Sequence, residues 1–162
     1  MDGGGRIARV LSGSLEGLDA LRVRVEVDVA PGLPGFSLVG LPSAALRESR
    51  ERVGAALRHA GYAWPEGRIT VSLAPADRRK DGAAMDLAIA VGLLLASGQL
   101  RRPDPALLRR SLFVGELALD GALRPARGVL ALGLDAPGLG VDRLVAPAAQ
   151  TQELNLVPAG VR

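Results

Sequence analysis

Leu21-Arg22-Val23-Arg24-Val25-Glu26-Val27-Asp28-Val29 is apolar at every odd position and charged at every even one. Successive side chains of a strand point to opposite faces, so this stretch has one buried face and one charged, wet face. A strand wet on one side fits an antiparallel or mixed sheet with helices packed mainly on the other. Upstream, Arg6 to Ser12 reads as a second strand, and Gly13 to Asp19 is short enough for a hairpin connection. Downstream, Pro31-Gly32-Leu33-Pro34-Gly35 is a turn cluster, and Phe36-Ser37-Leu38-Val39-Gly40 reads as a third strand.

The following segments alternate between the two periods. Pro42-Ser43 opens a helix with Ser43 as N-cap; Leu46, Ser49, Val53, Ala56, Leu57 and Ala60 share one face, and Gly61 stands where a C-terminal cap belongs. The other face carries Arg47, Glu48, Arg50, Glu51, Arg52 and Arg58, and reads as solvated. Arg68 to Ala74 alternates again as a fourth strand, and Ala84 to Ser97 is apolar nearly all round, which predicts a central buried helix. Arg101 to Arg110 reads as a loop with one helical turn. Leu112 to Leu119 and Ala122 to Arg124 flank Asp120-Gly121, a two-residue hairpin signal. A short helix near Gly128 to Leu134 and a strand near Arg143 to Ala146 follow. The sum is an α+β domain with a mixed sheet.

Composition narrows the function. Of 162 residues, 48% are hydrophobic, enough for a packed core. The absence of cysteine removes disulfides, thiolate metal sites and cysteine nucleophiles together. Four aromatics, Phe36, Tyr62, Trp64 and Phe113, are too few for a base-stacking platform, and a net charge of +3 with scattered arginines is a weak nucleic-acid footprint. Met1 to Arg6 lacks the apolar core of a signal peptide, and the longest apolar run, Leu87 to Ala96, is half a membrane span. These features predict a cytoplasmic protein without a membrane partner.

The chemistry-bearing residues are few. Lys80 is the only lysine and does not stand in a phosphate-binding G-x-x-x-x-G-K-[ST] loop. His59, the only histidine, falls near the end of the first helix and reads as a surface residue. The unusual stretch is Ser72-Leu73-Ala74-Pro75-Ala76-Asp77-Arg78-Arg79-Lys80-Asp81-Gly82-Ala83-Ala84-Met85-Asp86. It takes a strand through a polar loop into the buried helix, with Asp86 in the first turn, where a carboxylate suits the helix dipole. Asp77, Asp81 and Asp86 read either as braces of this loop or as the remnant of an active-site loop.

Three runs carry a resemblance: Gly32 to Pro42, Arg47-Glu48-Ser49-Arg50-Glu51-Arg52-Val53, and Arg68 to Asp77. Together they resemble the magnesium-chelatase-like group of AAA+ proteins, the ComM or YifB family, over about Arg6 to Val161. In that family the segment is an N-terminal domain followed by an ATPase module, so the resemblance implies a domain over 6–161 with no AAA+ module in this chain. It also implies a fold similar to the Lon protease proteolytic domain and to domain 2 of a ribosomal small-subunit protein. Lys80-Asp81-Gly82-Ala83-Ala84-Met85-Asp86 lies over the Lon-type nucleophile loop, with Ala84 at the serine position. The second Lon-type motif is similar to Phe113-Val114-Gly115-Glu116-Leu117 and to Leu123 through Leu130, which puts Leu130 at the dyad lysine. Lys80 matches a loop lysine and not the base. The positions carried over by resemblance are Lys80, Asp81, Gly82, Asp86, Gly115, Glu116, Asp120 and Gly121.

A hydroxyl without a base is a poor nucleophile, and the dyad positions lack both. The reading that results is a non-catalytic accessory domain, without a cofactor or metal of its own, beside an AAA+ module supplied in cis or in trans. The resemblance links it to DNA processing and branch migration in natural transformation, with DNA met through that module and homo-oligomers only where the module is present. The rival readings are a Lon-type serine peptidase and a nucleic-acid-binding module.

Overall fold

The structure, a computed structural model, describes residues 6–158, 160 and 161. Met1 to Gly5, read above for a targeting signal, lie outside it.

The long hairpin of β1 (Arg6–Glu16) and β2 (Asp19–Ala30) forms the middle of a six-stranded mixed sheet. Its register sets Val10 opposite Val25 and Ala8 opposite Val27. All four are buried on one face, and Arg9 bonds Glu26 at 2.8 Å on the other. The alternation is borne out, and the strands continue past the expected connection until only Gly17 and Leu18 separate them. Beside β2 lies β4 (Arg68–Ala74), antiparallel, and parallel to β4 runs the edge strand β3 (Gly35–Val39). Beside β1 runs β5 (Ser111–Phe113), parallel to it, and beyond β5 lies β8 (Arg143–Val145), parallel to β5.

The expected first helix is two: α1 (Ala44–Arg47), capped by Ser43 Oγ accepting from Leu46 N, and α2 (Ser49–His59). The chain turns at Glu48, and Ser49 swings inward. Leu46, Val53 and Leu57 are buried against the sheet as the spacing requires. The central helix α3 (Asp86–Ala96) is the buried element, starting two residues later than expected because the Ala84 carbonyl is taken by the Gly115 N–H at 2.8 Å. Gly92 lets it lie on β2: a Cβ there would stand 2.6 Å from Val27 Cγ2.

Two expectations need correction. Leu112 to Leu119 is not one strand: Gly115 interrupts it, donating to Ala84 O and accepting from Leu87 N, so β6 (Glu116–Leu117) leaves the sheet. With β7 (Leu123–Arg124) it forms a separate hairpin whose turn spans three residues, Leu119 to Gly121, closed by Ala118 N to Ala122 O at 2.9 Å. The helices, expected mainly on one side, lie on both faces, with α2 and α3 on the valine face. After the helical turn α4 (Pro105–Arg109), the helix α5 (Val129–Asp135) packs on the reverse face, with Leu132 filling the space over Gly13. Leu11, Leu112 and Leu144 meet it there in a second apolar cluster. A 3-10 turn (Ala148–Gln150) and α6 (Thr151–Leu154) follow.

Candidate functional site

The loop from Pro75 to Met85 leaves β4 and enters α3, and four parts of the fold hold it. The first hold is Lys80. Its side chain is fully buried, and Nζ donates to Gly40 O at 2.8 Å and to Pro75 O. Its main chain pairs with the turn after β3, through Lys80 N to Leu41 O at 3.1 Å and Ser43 N to Lys80 O at 2.9 Å. Burial pushes the amine below the ordinary lysine range, and the charge of Asp77 opposes it. The turn it grips admits only glycine at 40, where φ is +104° and a Cβ would stand 2.0 Å from Leu73 O.

The second hold is β1. Ser14 Oγ accepts from Asp81 N at 3.3 Å, while the Asp81 carboxylate accepts from Gly82 N at 2.8 Å and so caps its own turn. The third and fourth meet at Asp86, whose side chain has no exposed surface. It accepts from Ser49 Oγ at 2.6 Å, from Arg52 Nε at 2.6 Å and Nη2 at 3.1 Å, and from Leu117 N at 3.2 Å. The hydrogen bond to Asp86 holds the Arg52 guanidinium charge more firmly against the cost of burial, helped by the charges of Asp86, Glu116 and Glu48.

Arg52 is thus the residue that reading from the helix face missed. It was placed among solvated charges, and its pairing with Glu48 exists at 3.5 Å, but its side chain is only 16% exposed and turned to Asp86. The available signal was Ser49, a polar residue on the apolar face one turn earlier.

A cavity of about 310 Å3 opens beside the loop, lined by Ser14, Leu15, Asp81, Gly82, Ala84 and Arg127, with Gly17 at its rim. Ala84 stands at its wall, whereas Leu130, half-buried on α5, is not part of the lining. The cationic group at the cavity is Arg127, a permanently charged guanidinium unsuited to serve as a base. The hydroxyl there is that of Ser14, already accepting from the loop. His59 lies on α2, exposed, with Nδ1 3.0 Å from Ala55 O. Asp120 and Gly121 stand apart at the hairpin tip, where the Asp120 carboxylate accepts from Ala122 N at 3.0 Å. The structure therefore brings Asp86, Gly115 and Glu116 together with Ser49 and Arg52, sets Lys80 to Gly82 beside them, and gives Asp120 and Gly121 a turn-forming part. Among the described residues no three acidic or histidine side chains gather as a metal-ligand set, and no helix is long and apolar enough to cross a membrane.

Comparison with known proteins places this arrangement. The family described as subunit ChlI of Mg-chelatase matches residues 25–150. An uncharacterized protein of Mycobacterium tuberculosis (strain H37Rv) is 44% identical over 151 residues, 93% of this chain and 29% of that protein. Competence protein ComM of Haemophilus influenzae is 47% identical over 124 residues, 76% of this chain and 24% of its own length. YifB of Escherichia coli K12, itself uncharacterized, is 43% identical over 130 residues, 80% of this chain and 25% of its own. The chain spans less than a third of these relatives. By these matches the chain belongs to the magnesium-chelatase-like ComM and YifB family.

Proposed function

We propose that the chain is a non-catalytic accessory domain, spanning 6–161, that works beside an AAA+ ATPase module supplied in cis or in trans. The observation that carries this reading is that the loop's reactive groups are committed to holding the fold. The Lys80 amine is buried on two carbonyls, and the Asp86 carboxylate is saturated by Ser49, Arg52 and Leu117 N–H. Ala84, at the cavity wall, has no hydroxyl. The strand–loop–buried-helix order on a mixed sheet supports a Lon-protease-like fold whose peptidase chemistry has been lost. One relative is named a competence protein; carried to this chain, that name supports a part in DNA processing during natural transformation, in the cytoplasm, with DNA met through the ATPase module. No cofactor is needed for such a part.

The experiment has two arms. The isolated chain is incubated with unfolded casein and a fluorophosphonate serine probe, and titrated with magnesium ATP by calorimetry; neither cleavage, labelling nor saturable binding is expected. In the second arm this chain replaces the matching segment of the Haemophilus ComM protein, and the chimera is expected to keep transformation above that of a strain lacking the segment. Casein cleavage that survives repurification, or a chimera no better than the deletion, overturns the reading.

A further inference from the structure

The longest uncharged run in the chain is Val29 to Leu46, and unlike the apolar stretch Leu87 to Ala96 of α3 it lies largely at the surface. Its centre is β3, an edge strand whose ladder partner among the described residues is β4 alone. Gly35 N donates to Gly67 O on the β4 side at 3.2 Å, so the alternation of a strand turns the N–H and C=O groups of Phe36 and Leu38 toward the open edge. Edges of this kind are ordinarily blunted by a charge, a proline or a bulge, and Gly35 to Val39 contains neither charge nor proline. Leu33, Val39 and Leu41 extend the apolar character, at 83%, 47% and 53% exposure.

Past the end of β3, two arginines border a cavity. Leu41, Pro42 and Ala44 line this cavity of about 430 Å3 together with Arg47 and Arg79. Both arginines are exposed, and among the described residues neither pairs with a carboxylate, whereas the neighbouring Arg78 meets Glu16 at 2.7 Å.

We propose that the open edge of β3 and the Arg47–Arg79 cavity form one docking site for an extended polypeptide segment, apolar along its length and carrying a carboxylate at the end that meets the arginines. Strand addition supplies main-chain hydrogen bonds, and the cavity supplies direction and choice. The occupant is a different sequence and not a second β3, because Val29 to Leu46 holds no carboxylate and self-pairing leaves both arginines unmatched. The proposal rests on this surface and is independent of the accessory-domain reading.

The test uses the full chain and a fluorescein-labelled heptapeptide of alternating alanine and valine ending in aspartate with a free C-terminus. Fluorescence anisotropy is expected to show saturable binding that weakens with salt. Of two versions N-methylated on alternate residues, one phase loses about tenfold or more in affinity, as two or three hydrogen bonds would, and the other keeps the parent affinity. Arg47→Ala with Arg79→Ala weakens binding about tenfold and flattens the salt dependence while the melting temperature stays unchanged. Absence of saturable binding, equal weakening by both methylation phases, or unchanged binding by the arginine variant each overturns the proposal. So does concentration-dependent dimerisation abolished by Val39→Lys without peptide binding, which assigns the edge to a second copy.

Discussion

Asp86→Ala tests the node that joins the candidate loop to α2 and to the β6 hairpin. The carboxylate is fully buried and accepts from Ser49, Arg52 and Leu117 N–H. Its removal leaves a largely buried guanidinium without its closest counter-ion, while Arg52 Nη2 keeps Ala45 O at 2.9 Å and Glu48 stays 3.5 Å away. Breaking a buried pair from one side costs about 3–5 kcal/mol, and an unpaired buried N–H such as that of Leu117 about 1–3 kcal/mol on its own. These costs overlap, so about 4 kcal/mol is expected, a large part of the ~5–15 kcal/mol that holds an ordinary domain folded.

The measurement is urea unfolding followed by far-UV circular dichroism and by Trp64, the only tryptophan. Its ring lies 5.9 Å from that of Phe36 and 5.7 Å from the Arg50 guanidinium carbon, so it reports the packing of α2 on β3. The second variant is Arg52→Met, which leaves the carboxylate with Ser49 and Leu117 alone. In the double variant both charges are gone, and the loss is expected to fall short of the sum of the singles by about 2 kcal/mol or more. An Asp86→Ala cost below about 1 kcal/mol, or strict additivity, would refute the ion-pair account and leave Asp86 an N-terminal helix residue of ordinary worth.

Three further outcomes are expected. The Lys80 amine is pushed below 10.5, so between its folded value and 10.5 the unfolded chain holds a proton the folded chain has released; the site's contribution to stability therefore rises with pH through that window. Lys80→Met should remove this rise, measured as the urea midpoint from neutral pH to 10.5; an unchanged slope contradicts the burial. Gly40→Ala puts a Cβ 2.0 Å from Leu73 O at a left-handed φ and should cost about 3 kcal/mol or more in the same assay, whereas Gly17→Ala, with nothing near its Cβ, should cost only the strain of its φ, about 1 kcal/mol. Ala84→Ser should fold and show no casein cleavage or probe labelling, since the cavity it enters holds Arg127 and no amine or imidazole.

What could be read in advance was what lies close in sequence. The alternation of Leu21 to Val29 depends on nothing but the pleat, and Val23, Val25 and Val27 are buried where it put them. The helix face of Leu46, Val53 and Leu57 survived the break at Glu48 because apolar burial tolerates a turn of chain direction. The Asp86 node was hardly legible: its partners stand 34, 37 and 31 residues away, and the one local mark of an inward arginine was Ser49 on the apolar face, which does not name Asp86 as the partner. Gly115 was hidden for the same reason. A β-favourable run from Leu112 to Leu119 gives no sign that α3 will claim its middle residue's main chain. The short helix near Gly128 to Leu134 was legible, but its place on the reverse face was not, because Gly13, read as turn material, is a strand position emptied to admit Leu132.

Lys80 connects the two surfaces that otherwise stand apart. Its amine holds Gly40 O, its carbonyl holds Ser43 N, and Leu41 between them carries the cavity of the β3 edge and the positive φ of +55°. A non-glycine residue persists in that conformation only when its surroundings dictate it. Here they do so through the Lys80 main chain, which donates to Leu41 O at 3.1 Å and accepts from Ser43 N at 2.9 Å. The loop that resembles a peptidase nucleophile loop is thereby built into the support of the proposed docking edge. A lysine at this position does more for the fold as a buried clamp than as a titrating amine, because the Gly40 and Pro75 carbonyls accept from the ammonium and offset part of the desolvation it would otherwise bear alone. The geometry of an active-site loop is thus compatible with a role that needs its shape and not its chemistry.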